Sequence, residues 1–238
     1  MSRRRVMAIV RKEFREYRRN RYVLVTMAVI PVIFLLQPLV YTLALPAAAA
    51  VPLSHRHELL YMLGIPALVP SMLAAASVVT ERQQGTLEPV LTTPIRGKEF
   101  LLAKALAPLV PAIAVSYAVY GLFVIIIELF AHAGVASALV QGPLILAQVI
   151  FTPLLALWSI WVGIAISTRS SDVRAAQQLS VVGNLPMVAL STLVAFNTIQ
   201  ATLGLAVGLA VALIVIDRVG WRVVSAMFDR ERLITGTR

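Results

Sequence analysis

The sequence predicts an all-α integral membrane protein, and three observations carry that prediction. Of 238 residues, 59% are hydrophobic and 13% charged, whereas a soluble domain is roughly 45–50% apolar. Several apolar runs exceed the ~18 residues that mark a membrane helix. Positive charge is one-sided: with six spans drawn through the apolar runs, every Lys and Arg of the 21 except Arg56 falls on the same side. The expected architecture is six transmembrane helices, an interfacial amphipathic helix at the N-terminus, and a short cytoplasmic helix between the second and third spans. All of it belongs to one membrane domain over residues 1–238.

Residues 1–21 carry Arg3, Arg4, Arg5, Arg11, Lys12, Arg15, Arg18, Arg19 and Arg21, while Val6, Val10, Phe14 and Tyr17 recur at spacings of three and four. An apolar stripe on a basic helix is the pattern of an element lying in the membrane interface, with anionic lipid as its partner. A basic tail that merely sets orientation is the plainer alternative. No cleavable leader is expected, because no short apolar core with a small-residue cleavage site follows. The first span covers 22–45, with Pro31 and Pro38 as expected kinks. The second covers 59–80. The third, 100–130, exceeds the ~20 residues a bilayer requires and should tilt or bend, at Pro108 and Pro111. The fourth covers 142–167, the fifth 177–196 and the sixth 202–216. Residues 197–201 alone separate the last two, which makes them a tight helical hairpin or a partly re-entrant pair. Residues 218–238 follow as a cytoplasmic tail.

The charge asymmetry puts both termini in the cytoplasm of a multi-pass protein of the cell's inner (plasma) membrane. The net charge of +10 sits beside the spans, so orientation and anionic lipid explain it and nucleic acid is not an expected partner. With no cysteine, disulfides and thiolate metal sites are excluded. No phosphate loop is present: Gly97-Lys98 is followed by Glu99, and no glycine stands at the required offset. No cofactor and no metal are expected in this chain, and His55, His57 and His132 read as solvated residues near outer ends. The absence of a nucleophile elbow leaves no catalytic candidate. Glu128 is the acid well inside an apolar run, and an acid in hydrocarbon marks a functional position by default. It reads either as a contact for a cationic substrate or as an interfacial acid paired with His132 or water. Gln37, Gln148 and Asn184 are expected to bond between helices, for up to roughly 1–2 kcal/mol each. Gly204 and Gly208 form a G-x-x-x-G spacing read as helix packing.

The stretch 81–98 is a polar island between two apolar runs. Thr86 can cap a helix there with its hydroxyl. Glu88 in the first turn suits the helix dipole, Pro89 tolerates a missing N–H, and Pro94 stops the helix. Leu87, Val90, Leu91 and Pro94 fall on one stripe. A helix of about two turns is unstable alone in water, so this stripe needs a cover, and a protein on the cytoplasmic side is the expected one. Glu81, Arg82 and Glu88 would supply polar contacts at its rim.

The string Glu81-Arg-x-x-Gly85-Thr86-Leu87-Glu88-x-x-Leu91-x-Thr93-Pro94, followed by Glu99-Phe-Leu-Leu-Ala-Lys104, resembles the membrane subunits of ABC-2 type transporters, the type V ABC exporter permeases. Ala103 stands where that pattern frequently has glycine. The basic helix of 1–21, the stretch 167–178 and the tail around Phe228–Leu233 resemble further features of the family. The resemblance implies that Glu81, Arg82, Gly85, Thr86, Leu87, Glu88, Val90, Leu91, Thr93 and Pro94 form a coupling helix segment that docks into a separate ATP-binding subunit. It implies two such subunits, which bind ATP and Mg, and a second permease subunit completing a homo- or heterodimer that exports substrate. Two rival readings remain. A stand-alone secondary transporter or channel would need ionisable groups at mid-membrane. A membrane-embedded enzyme such as a lipid transferase would need paired carboxylates or a histidine cluster near an interface.

Overall fold

A computed structural model describes residues 2–46, 57–85 and 97–227. The described residues hold helices α1 (Arg3–Arg19), α2 (Arg21–Leu43), a 3-10 turn (Glu58–Leu63) running into α3 (Gly64–Gln83), α4 (Gly97–Phe130), a short α5 (Ala133–Leu139), α6 (Gly142–Arg169), α7 (Val173–Ala195) and α8 (Leu203–Met227). No strand occurs among them. Six of these helices are long and apolar enough to cross a membrane. The all-α membrane class and the six spans are therefore as the sequence implies.

Helix α3 is the hub. In its most apolar window 83% of residues are buried inside the chain, against 6% for α8 and 18% for α2. It packs on α6, α7, α4 and α2. Small side chains make this possible, since close helix approach in a membrane relies on them. Ala67, Ser71, Ala74 and Ala75 are almost wholly buried along α3. Opposite them, Gly163 of α6 is so close that a Cβ there would stand 2.5 Å from the Ser71 carbonyl oxygen. Polar groups cross the same seams: the Ser159 hydroxyl donates to the Pro66 carbonyl at 3.1 Å, and the Val79 N–H donates to Ser167 Oγ at 3.1 Å. Gln148 and Asn184 do not follow the interhelical expectation. Their side-chain amides donate within their own helices, to Thr152 Oγ1 and to the Ser180 carbonyl.

Helices α2 and α4 run unbroken through Pro31 and Pro38 and through Pro108 and Pro111. The 34 residues of α4 rise ~50 Å at 1.5 Å per residue, well beyond the ~30 Å hydrocarbon core. Its first turns can therefore carry charge without entering lipid. The last two spans correct the sequence reading. The sixth does not stop at residue 216: the helix continues through Asp217 and Arg218 to Met227, so half of the expected tail is helical. The α7–α8 pair is not a tight hairpin either. The chain reverses at Asn197, which takes a left-handed φ of 58°, and the Thr198 and Ile199 N–H groups both donate to the Leu193 carbonyl. Beyond the turn α8 packs chiefly on α6. An apolar cleft of about 430 Å³ separates it from α7. At 25 residues, α8 is long enough to span.

Candidate functional site

Thr86, Leu87, Glu88, Val90, Leu91, Thr93 and Pro94 lie outside the described residues. The structure does describe the two stems of that segment, the end of α3 and the start of α4. Arg82 lies in the last turn of α3. Gly85 follows with φ +66°, the left-handed conformation that commonly terminates a helix and favours glycine.

Glu81 is not on an exposed rim. It is 3% exposed and turned inward, into a cluster that joins three helices. The ammonium of Lys104 on α4, 1% exposed, donates to Glu13 Oε1 of α1 at 2.7 Å and to the Ser77 carbonyl of α3 at 3.1 Å. It also lies 2.9 Å from Glu81 Oε1. Lys12 of α1 donates to the same Glu81 oxygen at 2.9 Å. Two buried carboxylates are thus balanced by the buried Lys104 ammonium and by the exposed Lys12 reaching in from the surface, and pairing of this kind is the condition under which charges are tolerated away from water. The Phe100 ring closes one side, its centroid 5.5 Å from Lys104 Nζ. A second tie lies one turn away. Glu99, also buried, accepts the Ser2 backbone N–H at 2.5 Å and stands 3.7 Å from the Arg5 guanidinium.

The electrostatics follow from burial. Desolvation pushes the Glu13 carboxyl above its ordinary range, even though the charge and hydrogen bond of Lys104 pull the other way. Desolvation also opposes the Lys12 charge, but the hydrogen bond and charge of Glu81 outweigh it and hold that ammonium above its usual value. The apolar stripe of α1 is covered in the same region. Val6 and Val10 are buried against Ala103, with Ile9, Phe14, Leu102 and Leu106 around them. The stripe assigned to lipid is thus partly covered by the chain's own α4. The exposed face of α1 keeps Arg3, Arg4, Arg11, Arg15 and Arg18.

The stretch 167–178 joins this assembly. Asp172 caps α7 by accepting the Ala175 N–H at 2.9 Å. The Gln83 side chain donates to the Ser171 carbonyl at 2.9 Å, and Ala176 packs on Ala75 and Val79 of α3. The stems of 86–96 are therefore held from both sides, by α1 and by the α6–α7 corner.

Glu128 lies on an exposed part of α4 beside the exposed Leu129 and Phe130, does not line the cleft between α7 and α8, and forms no ion pair with His132 among the described residues. Sequence reasoning missed Glu13, Glu99 and Lys104 as a group. The legible signal was Glu13, which stands seven residues after Val6 and three after Val10, on the very stripe that should be apolar. It also missed Asp217, because the sixth span was ended at residue 216, directly before it, whereas the helix runs on to Met227. Among the described residues no group of three potential metal ligands occurs.

Residues 7–208 match the model of a family described as "ABC-2 family transporter protein". No curated protein matches the chain.

Proposed function

The chain belongs to the ABC-2 transporter family, and from that premise we propose that it is the permease subunit of an ATP-driven exporter, coupled to its engine through residues 86–94. Permeases of this family are membrane components that associate with ABC ATP-binding subunits. The finer reading has two permeases pairing, as homo- or heterodimer, each holding one ATP-binding subunit that carries the ATP and Mg. Both termini and the 86–96 segment face the cytoplasm of the inner (plasma) membrane, in keeping with the positive-inside asymmetry.

The observation that supports this best is the charge cluster. Lys104 ties α1 to both stems of the 86–96 segment. A push on that segment is then delivered to α1, α3 and α4 together. Since α3 is the most buried span, its displacement must carry α6 and α7 with it, because close-packed interiors shift between arrangements and do not deform smoothly. ATP binding closes the ATP-binding dimer, the stems move as levers, and the seam between the two permeases changes its access. The exposed apolar faces of α2, α4 and α8 are available to lipid and to the second permease. Glu128 is the candidate contact for substrate along that path.

Leu91→Asp tests the coupling role. A charge on the docking stripe should abolish co-purification with the ATP-binding subunit while leaving the permease folded. Undiminished assembly and transport would remove the docking assignment.

A further inference from the structure

A recess of about 270 Å³ lies between α6 and α8, lined by Leu154, Leu157 and Trp161 of the first and by Ile214, Asp217, Arg218 and Trp221 of the second. Both carboxylate oxygens of Asp217 are buried and have no hydrogen-bond partner among the described residues, and the buried Trp161 Nε1 also lacks one among them. The two indoles meet edge to face, with ring centroids 5.8 Å apart and planes at 71°. Gly220 permits this wall. A Cβ there would lie 2.8 Å from Trp161 Cδ1, so any larger residue would push α8 off the indole. Arg218 borders the same recess but is exposed, and it does not satisfy Asp217.

An ionisable group unpaired inside a membrane helix is costly and marks a functional position. Three occupants would neutralise it. A proton needs no recess and no aromatic wall. A metal ion would need several oxygen or nitrogen ligands, and one carboxylate is all this recess offers. An organic cation uses every part: the carboxylate for its charge, the indole faces for cation–π attraction, and Leu154, Leu157 and Ile214 for its apolar body. We propose that Asp217, Trp161 and Trp221 form a binding site for a lipophilic organic cation. The site lies wholly within this chain and stands whether or not the chain is driven by ATP.

The test uses the full chain in detergent micelles and N-benzylpyridinium, a cation that quenches indole emission. The chain has three tryptophans, and Trp158 does not line the recess, so a Trp158→Phe background confines the emission to Trp161 and Trp221. Saturable quenching is expected. Asp217→Asn should raise the half-saturating concentration at least tenfold, and Asp217→Glu should largely restore it. Diphenylmethane, the uncharged counterpart of nearly the same shape, should not displace the cation. Should Asp217→Asn fail to yield monodisperse helical protein, Gly220→Ala serves as the second variant, and it should weaken binding several-fold by moving the wall. The proposal is overturned by absence of saturable quenching, by equal affinity in a folded Asp217→Asn or Gly220→Ala chain, or by equal displacement with diphenylmethane.

Discussion

Replacing Lys104 with Met keeps the length and the apolar stem of the side chain and deletes one charge. The consequence falls on Glu13. Glu81 retains Lys12 at 2.9 Å, but among the described residues the buried carboxylate of Glu13 hydrogen-bonds Lys104 alone. An orphaned buried carboxylate escapes by taking up a proton, and that escape sets a ceiling on the damage. Holding a carboxyl of ordinary pKa ~4.3 protonated costs about 1.36 kcal/mol per pH unit above that value, hence about 3.7 kcal/mol at pH 7 and about 1.6 kcal/mol at pH 5.5. The first figure agrees with the roughly 3–5 kcal/mol typical of breaking a buried pair. The sign is fixed by linkage. Burial already places the folded carboxyl of Glu13 above its unfolded value, so the folded chain binds the proton first and stability contributed by this group rises as pH falls toward the ordinary carboxylate range. Lys104→Met steepens that dependence. Unfolding by SDS titration in mixed micelles, at pH 7 and pH 5.5, measures it. The double variant Glu13→Gln/Lys104→Met should recover most of the loss at pH 7, because nothing is left to protonate. A loss below about 1 kcal/mol at pH 7, an equal loss at both pH values, or no rescue by Glu13→Gln would refute the reasoning.

Other perturbations read other parts of the same structure. Gly163→Ala should destabilise the chain by about 1–3 kcal/mol in the same titration, because the new Cβ meets the Ser71 carbonyl oxygen at 2.5 Å and main chain cannot swing aside. Changing the exposed Arg3, Arg4, Arg11 and Arg15 to Gln should lower retention of anionic lipid, seen by native mass spectrometry, by about 1 kcal/mol per charge. Loss that vanishes in high salt is the expected signature, since the interaction is between exposed charges.

The spans were legible because a bilayer requires ~20 apolar residues in a row, and composition alone records that. Their ends were less so. Asp217 and Arg218 look like a stop signal at the end of a 14-residue run, yet a helix can continue through polar residues when protein shields them. Here the shield is Trp161, held against α8 by the bare backbone of Gly220. Nothing in the local pattern of α8 announces a tryptophan about five turns into a different helix. The same limit applied to α7 and α8. A short connection makes two helices neighbours in sequence, but which face α8 presents is decided by Leu213, Gly220 and Val224 fitting α6, and α8 is apolar nearly all round, so no stripe declares it.

The first helix shows that an apolar stripe does not by itself name the surface that covers it. Its stripe of Val6, Val10, Phe14 and Tyr17 is real, and periodicity says only that something apolar covers it. Lipid and protein satisfy that demand equally well. What separates them is Glu13. A carboxylate next to the stripe would be expelled from a lipid-facing surface, and it is retained only where a fixed cation awaits it. Lys104 is that cation, 91 residues away in sequence. It stands in the first turns of the overlong α4, buried against α1 and α3. An acid beside an amphipathic stripe and a basic residue at the foot of an oversized span are each unremarkable alone. Together they specify that the basic helix rests on protein through its apolar side and offers its arginines outward, so that whatever anionic surface those arginines meet is mechanically joined to the stems of residues 86–96.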